Sequence, residues 1–302
     1  MTYEEPKRIC ALASHVPSFI QERKFLRGVT ASTLAWYESS FKAFGPVVER
    51  EYASIGAFKA AVVARIEQLH CVGRGNKAVS INTYLRCFKA FLNWCHQERI
   101  LAEPIKLSWL KEEQNVLVTL NTLQIQRVLK CNPRTASGQR THVLACVLLD
   151  TGLRITEAVS LTRSDVDFEN LLLKVHGKGQ KERIVPMSFE LRKLLFRWVA
   201  KLPAHFEHEF STRDGASLTT RLVLVNFKTL GKRAGIVGVR MSPHTLRHTF
   251  AVSYLRAGGN LFYLSKILGH TSITTTQRYL QSLGVEDLQA VHNKLSILSR
   301  TS

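Results

Sequence analysis

Thr151-Gly-Leu-Arg-Ile-Thr-Glu157 joins two kinds of sequence. Before it, residues 141–150 are apolar nearly all round (Val143, Leu144, Cys146, Val147, Leu148, Leu149), the pattern of a helix buried on every side. Gly152 allows a tight turn, and residues 154–161 read as a short second helix. After it, residues 171–175 and 182–186 read as two strands around Gly177-Lys-Gly179, a hairpin. Helical periodicity returns over 189–202, 223–234, 244–258, 261–268, 274–283 and 286–298. The expected architecture is mainly α with one small antiparallel β-sheet in the C-terminal part.

Residues N-terminal to this region read as helices alone. Apolar side chains recur at helical spacing in 16–23, in 34–44 (Leu34, Trp36, Tyr37, Phe41, Phe44) and in 58–69. A polar, Gly-rich stretch at 71–80 follows, and Ser80 or Asn82 can cap a helix over 83–99 that buries Tyr84, Leu85, Phe88, Phe91, Leu92 and Trp94. Pro104 disfavours helix at Glu103. Weak periodicity from 105 to 120 predicts an extended connection, and helical signals resume at 122–130. The expected domains are 1–108, helical; 109–120, linker; and 121–302, the α+β part. There is no internal repeat and no low-complexity tract.

Charge narrows the function. The 302 residues carry 42 Lys and Arg against 23 Asp and Glu, a net +19. Residues 1–110 hold 15 basic and 9 acidic side chains, so the excess is not confined to one tail. A chain charged this way repels itself, and a polyanion is its natural partner. The apolar fraction of 45% supports real cores rather than disorder. Runs such as 143–149 are far too short to cross a bilayer, and the opening residues lack the apolar stretch of a secretory signal. Neither a membrane nor a secreted protein is expected; the expected location is cytoplasmic and nucleoid-associated. The six cysteines form no C-x-x-C pair and no zinc spacing, which suits reduced thiols.

The chemistry-bearing residues form a distinctive inventory. Gly73-Arg-Gly75 and Gly177-Lys-Gly179 complete no nucleotide fingerprint. His244 and His248 have zincin spacing, but the intervening Glu and a third ligand are missing. What remains is Arg154 after a Gly turn, Lys178 at the hairpin tip, His244 and Arg247 on one helix face, His270 after Leu268-Gly269, and Tyr279 nine residues later. Singly, each is more simply a solvated, capping or packing residue. Together, two guanidiniums can fork onto the non-bridging oxygens of a phosphodiester, a phenol can attack phosphorus, and a Lys or His can protonate the leaving oxygen. Fixed cations can carry the charge of the transition state, so the set calls for no metal and no organic cofactor. A phosphotyrosyl ester conserves the bond for rejoining, which fits breakage and rejoining of DNA better than hydrolysis.

The same residues lie in four stretches that resemble the tyrosine recombinase (phage integrase-like) family: Thr151-Gly-Leu-Arg-Ile-Thr-Glu-Ala-Val-Ser-Leu161, His176-Gly-Lys-Gly-Gln-Lys-Glu-Arg-Ile-Val-Pro186, Ser242-Pro-His-Thr-Leu-Arg-His-Thr-Phe-Ala251 and Leu268-Gly-His-Thr-Ser-Ile-Thr-Thr-Thr-Gln-Arg-Tyr279. The N-terminal part is similar to the family's helical core-binding domain, and the length matches its small two-domain members. The resemblance implies a core-binding domain and a catalytic domain forming a C-shaped clamp on DNA.

It also implies roles. Arg154 and Arg247 bind the scissile phosphate, Lys178 acts as general acid toward the 5′ oxygen, and Lys181 is a rival on the same hairpin. His244 contacts the phosphate and assists proton transfer from the nucleophile, His270 hydrogen-bonds a non-bridging oxygen, Tyr279 is the nucleophile, and Glu157 supports them. The implied partners are double-stranded DNA with inverted-repeat half-sites and three further copies of the chain. These form a homotetramer on two duplexes, with the C-terminal helix (286–298) exchanged between protomers, open to accessory proteins and without a membrane. The implied path runs through a 3′-phosphotyrosyl intermediate and a Holliday junction. A type IB topoisomerase-like enzyme and a non-cutting DNA-binding accessory factor are the alternatives.

Overall fold

The computed structural model describes residues 8–71, 75–112, 117–177 and 182–296. The chain divides into two compact units, Met1–Asn115 and Val116–Ser302. Among the described residues, no helix is long and apolar enough to cross a membrane.

The first unit is helical: α1 (Val16–Phe25), α2 (Ala31–Val48), α3 (Ile55–Cys71) and α4 (Ala78–Gln97). Thr30 caps α2 by accepting from Thr33 N. The core is aromatic. Phe19, Phe44, Phe58, Phe88 and Phe91 are all but fully buried, Phe44 stacks on Phe88 at 4.6 Å, and Phe19 meets Phe91 edge-on at 5.5 Å. The Trp94 indole N–H donates to Glu22, so the buried ring keeps its polar partner. α4 starts at Ala78, before both expected caps. Asn82 is instead a buried brace: its Nδ2 donates to Leu110 O at 2.9 Å and its Oδ1 accepts from Leu110 N at 2.9 Å. Lys89 Nζ also donates to Leu107 O. Leu107 and Leu110, in the stretch read as an extended connection, are thus tied to the helical unit.

The second unit is built around α6 (Ala136–Thr151), with α5 (Thr122–Lys130), α7 (Ile155–Val159), α8 (Phe189–Val199), α9 (Thr220–Arg233) and α10 (Pro243–Arg256). Val143, Leu144, Ala145, Val147 and Leu148 of α6 are buried, as its unbroken apolar pattern requires. The sheet has three antiparallel strands in the order β1 (Val166–Asp167), β2 (Leu172–His176) and β3 (Glu182–Pro186). The two-residue β1 was not expected. Register pairs Leu173 with Val185 and Val175 with Arg183, so Leu173, Val175 and Val185 share the inner face.

α11 (Leu261–Leu268) follows, capped by Asn260. The expected helix over 274–283 is broken: α12 (Thr274–Gln277) ends early and a 3₁₀ turn covers Leu280–Ser282. α13 (Val285–Leu295) lies against α10 of its own chain, where Arg256 Nε meets Asp287 Oδ2 at 3.1 Å. Val285 and Leu288 nevertheless stay exposed.

Candidate active site

α6 ends at Gly152, whose φ of +64° and whose contact with Phe250, 2.3 Å from any added Cβ, both demand glycine. The turn delivers Arg154 to the front of α7, where its side chain stays partly exposed while Nη2 donates to Gly269 O at 3.3 Å. Glu157, one turn on and buried, accepts from Arg154 N at 2.8 Å and from Arg154 Nη1 at 2.9 Å. Arg183 of β3 forks onto the same carboxylate, Nη1 to Oε1 at 2.9 Å and Nη2 to Oε2 at 2.8 Å. Burial by itself would raise the Glu157 pKa, but hydrogen bonds from Arg183 and Arg154 more than reverse this and leave it below its usual value.

Ser242 accepts from Thr245 N and Pro243 occupies the first turn, so α10 begins there. His244 lies exposed in that turn, and Arg247 follows one turn later. Arg247 is buried; its Nη1 donates to Gly152 O at 2.6 Å and its Nη2 to Leu268 O at 2.9 Å. Burial and the neighbouring Arg154 lower its pKa to about 10, while Tyr279 acts to raise it. It remains a cation at neutral pH.

α11 stops at Gly269, again left-handed at φ +65°. The turn sets the His270 ring beside Arg247 Nη2, 3.0 Å from Nε2. A guanidinium only donates, so His270 Nε2 accepts; its Nδ1 then carries the proton and donates to the buried Thr276 Oγ1 at 2.8 Å. Burial, then Arg247 and Arg154, push His270 down to about 4. Tyr279 N bonds Thr276 O at 3.0 Å, tightening the chain so that the Tyr279 ring stacks on His270, centroids 6.4 Å apart. The Tyr279 hydroxyl lies 3.3 Å from His248 Nδ1. His248 is pushed down to about 4 by burial, then by His244, Arg278 and Arg247.

The fold therefore brings Arg154, Glu157, Arg247, His270 and Tyr279 together in one cluster: Arg154 bonds Glu157, Arg247 bonds His270, the Tyr279 ring stacks on His270, and Arg154, Glu157 and Tyr279 all act on the charge of Arg247. His244 stands beside it through His248, ring centroids 6.5 Å apart. Lys178 and its rival Lys181 lie outside the described residues. Three neighbours were not read as part of the site: Arg183, Thr276, and His248, which was weighed only as a zinc ligand. Only Arg183 left a signal, since strand alternation puts it on the inner face with Val185, where a charge needs a buried partner. An open cleft of about 1070 Å³ adjoins the cluster, lined among others by Arg154, Arg183, Lys266 and His270. A separate apolar groove of about 480 Å³, between Leu129, Cys146, Leu191 and Phe250, includes none of them. Among the described residues, no group of three or more His, Cys, Asp or Glu side chains is arranged to hold a metal ion.

Residues 119–284, a span containing every one of the seven site positions, match the model of the Phage integrase family. The chain belongs to the phage integrase family. Among its relatives in the family is tyrosine recombinase XerC of Syntrophus aciditrophicus, 30% identical over 233 residues that cover 72% of this chain and 74% of that protein. Tyrosine recombinase XerC of Anoxybacillus flavithermus is 28% identical over 283 residues, covering 86% of this chain and 90% of that protein. A solved structure similar in fold is that of the Tn1549 transposon integrase (residues 82–397) in complex with circular intermediate DNA, with TM-score 0.76, 22% identity, and coverage of 95% of this chain and 100% of that one. This phage integrase family member is a tyrosine recombinase, an enzyme of site-specific recombination.

Proposed function

We propose that the chain cuts and rejoins duplex DNA at a specific site through a 3′-phosphotyrosyl intermediate on Tyr279. The observation that carries this reading is the Tyr279 phenol, held by the protein's own chain at His248 and His270 and near enough to act on the charge of Arg247. Arg154 and Arg247 take the non-bridging oxygens of the scissile phosphate and neutralise the charge that develops as phosphorus becomes five-coordinate. The Tyr279 oxygen attacks, the P–O5′ bond breaks, and the new P–O bond to tyrosine stores the ester. His244 assists removal of the phenol proton, and Lys178 donates a proton to the departing 5′ oxygen. A 5′ hydroxyl from the partner strand reverses the sequence and releases Tyr279.

His270 has a defined place in this cycle. Arriving phosphate draws the Arg247 donors to itself and frees His270 Nε2. Its negative charge also favours the imidazolium, whose Nε2–H then donates to a non-bridging oxygen. Glu157 holds Arg154 from below throughout.

Binding follows the same charge logic: most of the affinity comes from phosphate contacts and falls steeply with salt. The helical unit and the catalytic unit grip the duplex together, two protomers occupy inverted half-sites, and two such pairs form a tetramer that exchanges strands through a Holliday junction. The exposed Val285 and Leu288 on α13 support exchange of the C-terminal helix between protomers. Deletion of residues 286–302 then abolishes synapsis and spares contact with a single site; unchanged recombination by the truncated chain refutes the exchange.

The test of the function is a nicked suicide duplex carrying the inverted repeat that flanks the gene. Wild type accumulates a covalent protein–DNA adduct and Tyr279→Phe accumulates none. An adduct with Tyr279→Phe overturns the assignment, and relaxation of any supercoiled plasmid without a specific site indicates topoisomerase activity instead.

A further inference from the structure

Arg183 has no part in the steps above, yet its side chain makes as many hydrogen bonds as that of Arg247 and more than that of Arg154. Three of its five N–H donors are committed: two to Glu157 at 2.9 and 2.8 Å, and Nε to Ile267 O at 2.8 Å. Its guanidinium lies against Gly269, where a Cβ would sit 2.9 Å from Cζ and 3.0 Å from Nε. Only 15% of the side chain is exposed. It is the second residue of β3, an edge strand of the sheet, and β3 follows directly on the segment that carries Lys178.

We propose that Arg183 is a positioning residue that locks strand β3, and with it the Lys178 segment, to the carboxylate that also holds Arg154. One buried carboxylate thereby receives both the phosphate-binding arginine and the strand of the proton donor. The bond to Ile267 O ties the same strand to the turn that presents His270. A proton donor on a hairpin needs such an anchor, because proton transfer works only within hydrogen-bond reach of the leaving oxygen, and a displacement of about 1 Å costs about a hundredfold in rate.

The inference rests on Lys178 as general acid, and the experiment separates the two. Arg183→Ala would strand a buried carboxylate beside Arg154 alone, so the variant of choice is Arg183→Lys, which keeps the charge but loses the fork and the Nε bond. Single-turnover cleavage is measured on the ordinary nicked site and on one with sulfur replacing the bridging 5′ oxygen; a thiolate leaves without needing a proton. Gel shift of the same site reports that the variant is folded and binds.

Arg183→Lys is expected to bind as wild type does and to cleave the oxygen substrate about a hundredfold more slowly. It should return to within a few-fold of wild type on the sulfur substrate, as Lys178→Ala should. A Lys178→Ala variant rescued by sulfur beside an Arg183→Lys variant that is not overturns the positioning role and leaves the general acid standing. A Lys178→Ala variant that sulfur fails to rescue overturns the general acid itself, and the positioning role with it. Undiminished cleavage of the oxygen substrate by Arg183→Lys also overturns the inference.

Discussion

Glu157→Gln removes a charge without changing shape. Four donors converge on the carboxylate: Arg154 N, Arg154 Nη1, Arg183 Nη1 and Arg183 Nη2. A carboxamide offers one oxygen to them and turns an NH₂ toward the rest, so two bonds to charged or backbone donors are lost. At about 1.5–3 kcal/mol for each charge-assisted bond, the loss is about 3–6 kcal/mol. Breaking a buried ion pair from one side costs about 3–5 kcal/mol by separate reasoning, so the two figures agree. The pH dependence has a fixed sign. The folded pKa is lowered from 4.5, so the carboxylate's contribution is complete above 4.5 and is lost as pH falls through the lowered folded value. Glutamine cannot be protonated there, and the gap between the two proteins closes in acid. Urea denaturation of the full chain, read by hydrogen exchange in α6 peptides, resolves the catalytic unit. A difference below about 1 kcal/mol at pH 7, or an equal difference at pH 7 and pH 3, refutes the reasoning.

Other perturbations have equally definite outcomes. In DNA-free protein, proton NMR titration should show His248 and His270 neutral down to about pH 4–5, because both folded pKa values are near 4. Unfolding lets both rings take up protons between about pH 4 and 6.5, so they make the folded state less stable as pH falls through that window, and a midpoint near 6.5 for either ring would contradict the geometry. Gly152→Ala forces a left-handed alanine and a Cβ 2.3 Å from Phe250; a loss of at least about 2 kcal/mol in urea is expected, and a smaller one shows that the turn relaxes. Thr276→Val leaves the His270 Nδ1–H without its buried acceptor, so ¹⁵N spectra should show loss of the single Nδ1–H tautomer; an unchanged spectrum counts against it. Phe88→Ala should cost the helical unit about 3–5 kcal/mol and leave exchange in α6 untouched.

Where local chemistry ends an element, the sequence was a good guide. α5 and α11 begin after Asn121 and Asn260, whose side chains cap the next turn. The burial of α6 was readable from its apolar pattern, and β2 and β3 from the two strand runs that flank Gly177-Lys-Gly179. Errors arose where a distant partner decides. Asn82 has the chemistry of a cap, but Leu110, 28 residues away, claims its amide. The expected helix over 274–283 breaks because Tyr279 N turns to Thr276 O and its ring to His270, contacts that no periodicity encodes. In the site, residues that meet phosphate in the proposed reaction stood out by type and order. Of those that hold them in place, Arg183 shows only through its inward place in the strand alternation, and Thr276 is one threonine among several.

The buried thiols give each unit its own reporter. Cys87 and Cys95 lie in the aromatic core of the helical unit and Cys146 in α6, and burial raises all three to about 12. As protonated, enclosed sulfhydryls they are inert to alkylating reagents until their surroundings open. Mass-spectrometric mapping of the labelled peptides would time the opening of the two halves independently within one intact polypeptide, with Cys10 and Cys71, both exposed, as the fast-reacting internal standards.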